Sequence, residues 1–294
     1  MARAARGLRA ALVVAMVSGV VMTLNAQRQG QPAPAPGGAT QGPVAPGAGR
    51  AGRGGPAPTP KAAAPADFTG YWVALITEDW RWRMMTPPKG DYSSVPLNAE
   101  GRRVADTWDP NAKLSAGEEC RAYGAAGVMR LPTRLHITWE DETTLKVETD
   151  AGQQVRRLRF SPQAPTPGPA QWQGVSLAHW ERIAEGEMLS PTSRARALSG
   201  IDPNALTGAL RVVTTQMRPG YLRKNGVPYS GKAVLTENYD RVSGPNGDEW
   251  VVVTSKLDDP TYLTQPFTLS THFKREADGS KWNPRPCEVV PPVK

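Results

Sequence analysis

The densest run of chemistry-bearing side chains is EDWRWRMMTPPKGDY, residues 78–92. Read as a strand, it sets Trp80, Trp82 and Met84 on one face and Arg81, Arg83 and Met85 on the other. The first face is an aromatic and thioether wall suited to a core or to a greasy ligand. The second offers guanidinium groups, which hold a carboxylate bidentately. Glu78 and Asp79 beside these arginines make the stretch a poor track for single-stranded nucleic acid.

Other candidate groups are sparse. Three histidines, His136, His179 and His272, fall in three expected strands. Three imidazoles converging on one cation would be a zinc set, but no H-x-H or H-E-x-x-H pair fixes such a site, and neither metal nor cofactor is expected. No G-x-S-x-G elbow or Gly-rich phosphate loop is present. Glu181, beside Trp180 and His179, is the carboxylate whose pKa an apolar neighbour could raise toward that of a general acid, with His179 as its partner.

These groups must be placed by a fold, and the chain's ends bound where that fold lies. Arg3, Arg6 and Arg9 precede an apolar run at 11–24, with small Ala26 before Gln27, the pattern of a secretory signal over residues 1–26. The run is shorter than the ~20 residues of a spanning helix, so cleavage is expected rather than an uncleaved anchor, leaving no stable membrane insertion and a periplasmic or secreted product. Residues 27–66 hold nine Pro and nine Gly with almost no large apolar side chain, and read as a disordered tether. One β-rich domain is expected over 67–294. The net charge of +8 drops to +1 for that domain, because seven cations and no acidic residue precede Asp67. The basic pI therefore argues for no nucleic-acid partner. In an exported chain the two cysteines, Cys120 and Cys287, are expected to form a disulfide; two free buried thiols are the alternative.

Period-two alternation dominates the domain. TRLHITW (133–139), TTLKVETD (143–150), QQVRRLRF (153–160), ALRVVTTQM (209–217), KAVLTENYDRV (232–242), EWVVVTSKL (249–257) and PFTLSTHFKR (266–275) alternate apolar and polar residues between turn formers. Short turns imply antiparallel neighbours, and closure into a barrel removes the exposed edges of such a meander. One helix is expected where Asn98 caps LNAEGRRVADTW. The stretch 182–206 breaks the rhythm and reads as a long loop. In ENYDR, Glu237 and Arg241 share a face and are expected to pair as a surface salt bridge, the alternative being that both project into a cavity. The turn in NGVPYS is expected to present Tyr229 and Ser230.

DFTGYW (67–72) carries an F-x-G-x-W spacing that resembles the first strand of lipocalins and related calycins. That resemblance implies an antiparallel barrel whose tryptophan, Trp72, plugs one end beneath a basic side chain of the last strand, Lys274 or Arg275. From Cys120 onward the chain also resembles a group of uncharacterised exported bacterial β-rich proteins, through MRLP (129–132), WQGVSLAHWE (172–181), NGVPYS (225–230), LTENYDRV (235–242), DDPTYLTQP (258–266) and Cys287-Glu288. This second resemblance implies a fold and a compartment but no reaction.

The fold expected is thus mainly β, a lipocalin-like or calycin-like barrel or strongly curved sheet with one short helix. The function expected is binding of a small apolar or amphipathic ligand in a barrel cavity by Trp72, Trp80, Trp82, Arg81, Arg83, Trp139 and Tyr221. The alternatives are a calycin-like isomerase or hydratase using Glu181 or His179, and an envelope module for an unidentified protein partner.

Overall fold

The computed structural model describes residues 57–163, 166, 168–181 and 209–292. The expected signal segment, most of the tether and the expected loop at 182–206 lie outside the described residues. Nine strands close into a barrel: β1 (Gly70–Leu75), β2 (Arg134–Trp139), β3 (Thr144–Thr149), β4 (Val155–Arg159), β5 (Val175–Glu181), β6 (Ala209–Thr215), β9 (Val234–Ser243), β10 (Glu249–Asp258) and β11 (Phe267–Glu276). Between β6 and β9, β7 (Gly220–Tyr221) and β8 (Pro228–Tyr229) form a separate small hairpin. Closure comes from β1, which pairs with β2 on one side and β11 on the other.

The alternation in the sequence sets which side chains enter the barrel. Trp72, Leu135, Ile137, Leu145, Val147, Leu158, Val212, Val251 and Phe273 form one contiguous core inside it. At the end where β1 starts, Phe68, Trp139, Phe160, Trp180 and Tyr239 close the mouth in ring-on-ring contacts. Trp72 is fully buried, donates from Nε1 to the Phe68 carbonyl at 3.0 Å, and lies under the Arg275 guanidinium at 5.5 Å. Gly70 makes that cover possible: its φ is +118°, and a Cβ there would stand 3.5 Å from Arg275 Nη2.

One seam departs from the expected meander. β4 and β5 run parallel, matched only at Leu158–Ser176 and Arg159–Leu177. A parallel step needs a return crossing rather than a tight turn.

The helices and the β7–β8 hairpin gather at the opposite end, where β1 finishes. They comprise α1 (Trp80–Met84), α2 (Ala99–Ala105), a 3-10 turn (Glu118–Tyr123) and α3 (Ala125–Val128). This cap has its own core of Tyr92, Leu97, Leu222, Val227, Tyr229 and Leu263 with neighbours. The expected cap of α2 is present, Asn98 Oδ1 accepting from Gly101 N at 2.8 Å. Gly101 tolerates its poor helix propensity because a Cβ would sit 2.5 Å from the Tyr262 carbonyl. Cys120 and Cys287 form a disulfide, tying the C-terminal tail to the cap.

Further expectations are corrected. Residues 80–84 are helical, not extended. With β1 already paired on both sides, a tenth strand there would find no partner for its backbone, and a helical turn satisfies those groups internally. Glu237 makes no surface pair with Arg241: it points into the barrel, fully buried, and binds Arg156 from β4. Tyr229 and Ser230 are not presented but buried, and Ser230 donates from N and Oγ to Asp259. Residues 57–66, expected in the tether, also make contacts: Lys61 pairs with Glu142, and the Pro60 carbonyl accepts from Trp180 Nε1 at 2.8 Å.

Candidate functional site

Three cap segments meet beneath α1. The chain leaves β1 at Leu75 and reverses at Asp79, whose φ of 53° lies in the left-handed region. The Asp79 carbonyl accepts from Trp82 N and Arg83 N to start the helix. Arg83 then faces inward, its Nε donating to the Arg130 carbonyl at 3.0 Å and its Nη1 to Glu78. Arg130, in the MRLP segment, donates from Nη2 to Asp79 at 2.7 Å. The third segment follows β7. Asn225 Nδ2 donates to the carbonyls of Pro88 and Asp91, both at 3.0 Å, which brings Arg223 under α1 with its guanidinium 4.7 Å from the Trp82 ring.

The charges do not balance. Glu78 is bound by Arg83, Asp79 by Arg130 and Asp91 by Arg81. Arg223 is left over, one cation with no carboxylate. It is 4% exposed, and Nε, Nη1 and Nη2 are all buried without a hydrogen-bond acceptor among the described residues. Arg83 Nη2 and Arg130 Nη1 are also buried without acceptors. Burial, followed by the neighbouring charge of Arg130, pushes Arg223 down to about 10, against the pull of Asp79 and Asp91. Burial likewise lowers Arg83, partly offset by Glu78. For Asp91, burial acts upward, but hydrogen bonds from Trp82 and Ser93 and the charge of Arg81 outweigh it and hold the carboxyl below its usual range. A buried guanidinium without acceptors is a costly group that native proteins rarely keep without a use. Five empty N–H-bearing nitrogens on three arginines suit an anion and repel a cation.

Of the residues expected from sequence, Arg81, Trp82 and Arg83 belong to this cluster. Trp80 is on the same helix but 59% exposed. Trp72 and Trp139 lie in the barrel, packed among other side chains. Tyr221 lines a different pocket, of about 150 Å³, with Arg121 and Lys224; its Glu118, Glu119 and Glu288 oppose an anion. The seven do not converge on one cavity. Arg130 and Arg223 were missed as site residues. MRLP and the segment before NGVPYS stand out in the sequence, but nothing in them says that Arg223 lacks a counter-ion.

Glu181 and His179 face outward from β5, on the side opposite Trp180. Their side chains are 41% and 57% exposed, and Arg211 binds Glu181 at 3.0 Å. Glu181 thus meets solvent and an arginine, not the apolar surroundings expected of a general acid. The three histidines stand against three different carboxylates: His136 by Glu148, His179 by Glu181 and His272 by Glu78. Among the described residues no group of three or more His, Cys, Asp or Glu side chains could hold a metal ion.

Compared with family models, with curated proteins and with solved structures, the chain matches none.

Proposed function

We propose that this protein is an exported binding protein for a small anionic ligand, taken up in the cap beneath α1 rather than inside the barrel. The observation that carries the reading is Arg223, a buried cation whose three nitrogens lack acceptors while every neighbouring carboxylate is already engaged. An incoming carboxylate would supply the missing charge and accept charge-assisted hydrogen bonds from Arg223, with Arg83 and Arg130 as further donors. Trp82, stacked on the same guanidinium, closes the site from the side of α1. The disulfide between Cys120 and Cys287 fits an oxidising compartment and supports export. The aromatic and aliphatic filling of the barrel supports reading it as the scaffold that holds the cap.

Titration calorimetry with acetate and benzoate tests this reading on the intact chain. Wild type should bind a carboxylate with one-to-one stoichiometry, and Arg223→Met should abolish the heat while circular dichroism stays native. Equal binding by both proteins, or none by wild type, would overturn it.

A further inference from the structure

We infer that the anion carries a hydrocarbon tail, so that the ligand is an amphipathic monocarboxylate; the inference rests on the anion reading above. The two segments that hold Arg83 and Arg130 also wall a cleft of about 440 Å³, lined by Val73, Ala74, Ile76, Met84 and Pro132 with Thr133 and Arg134. Met84 follows Arg83 directly, and Pro132 lies two residues after Arg130. Two of the three arginines that would hold the head group thus stand one and two residues along the chain from the cleft's lining.

Among the described residues no carboxylate lines the cleft, and Arg134 is held by Glu276 at 2.9 Å, which leaves the cleft's apolar surface to interact with a tail. Met84, in the lining, is 51% exposed, and Trp80 and Met85 nearby along the chain are also exposed. Methionine adapts its shape to a flexible chain. The head group follows from the charge count: one surplus cation matches one negative charge, whereas a phosphate dianion would sit in excess beside Glu78, Asp79 and Asp91.

Straight-chain carboxylates from acetate to decanoate, each below its aggregation limit, provide the test by calorimetry on wild type, Arg223→Met and Met84→Gln. In wild type the Kd should fall about four-fold per added methylene until the cleft is filled. Met84→Gln, at an exposed position, should flatten that dependence without adding charge, its loss growing from acetate to decanoate. Arg223→Met should weaken every member at least ten-fold, and decylamine should not compete. Equal affinity for acetate and octanoate, still dependent on Arg223, would overturn the tail and keep the anion site. A chain-length dependence as steep in Arg223→Met as in wild type, or competition by decylamine, would show adsorption to apolar surface and overturn the inference. No binding at any length would remove the anion reading itself.

Discussion

Arg156 and Arg223 are both buried, at 1% and 4% exposure, one inside the barrel and one in the cap. Arg156 reaches from β4 across the interior to Glu237 on β9, donating from Nη1 at 3.1 Å and from Nη2 at 2.5 Å. Thr214 and Tyr239 accept further bonds from it, and Ser176 shares the network through Thr214. Burial acts to lower Arg156, but Glu237 and Tyr239 outweigh it and hold the guanidinium above its ordinary value. Arg223 has a tryptophan face and no acceptor, and it is pushed the other way. The same ion in two dry places thus has two fates. Where the fold supplies the counter-ion, the arginine organises the barrel; where it does not, the arginine is open to an anion from outside.

The largest effect is expected from breaking the satisfied pair. Glu237→Gln leaves Arg156 buried and uncompensated and should lower the unfolding free energy by about 3–5 kcal/mol, read from urea denaturation. The double change Arg156→Met with Glu237→Leu should recover most of that loss, because no orphaned charge remains. If Glu237→Gln is neutral, the barrel pair is dispensable and the comparison fails on that side.

Arg223→Met is expected to act in the opposite direction. Removing an unpaired buried cation should stabilise the ligand-free protein by about 1–3 kcal/mol. The gap should also depend on pH. Below about 10 Arg223 is protonated in both folded and unfolded chains, and the full destabilisation is present. As pH rises above about 10, toward the ordinary guanidinium range, the folded chain releases a proton that the unfolded chain keeps. Wild-type stability therefore rises relative to the variant, and the two melting curves should approach each other across that window. The smallest effect belongs to Trp82→Phe, which removes the indole over Arg223 and the 3.1 Å bond to Asp91. A loss of about 1 kcal/mol is expected, with hydrogen exchange in 78–91 rising and exchange in β9 and β10 unchanged.

The barrel was legible because its rule is local. Alternation in 133–139 or 249–257 says which side chains turn inward whatever the partner strand. The Asn98 cap and the disulfide also rest on few residues. Two features of α1 were hidden by distance. Residues 80–84 are helical because β1 is already paired on both sides, which only the closed sheet reveals. Arg81 and Arg83 were read as guanidiniums that could hold a ligand's carboxylate, yet both are matched inside the chain, by Asp91 and Glu78. The unmatched one is Arg223, whose state follows from what the segments 78–91 and 129–132 have already used up. Glu237 was misread for the same reason. Its partner on β4 is separated from β9 by β5 and β6, so it meets Glu237 only across a closed barrel.

The unfolding free energy of wild type and Arg223→Met, each measured with and without saturating octanoate, puts the most direct pressure on the idea that Arg223 is an unfilled counter-charge. The variant should be the more stable protein when no ligand is added and the less stable one when octanoate is present, so that the two orders cross. A variant less stable than wild type under both conditions, by the same margin, would mean that Arg223 supports the cap rather than an anion.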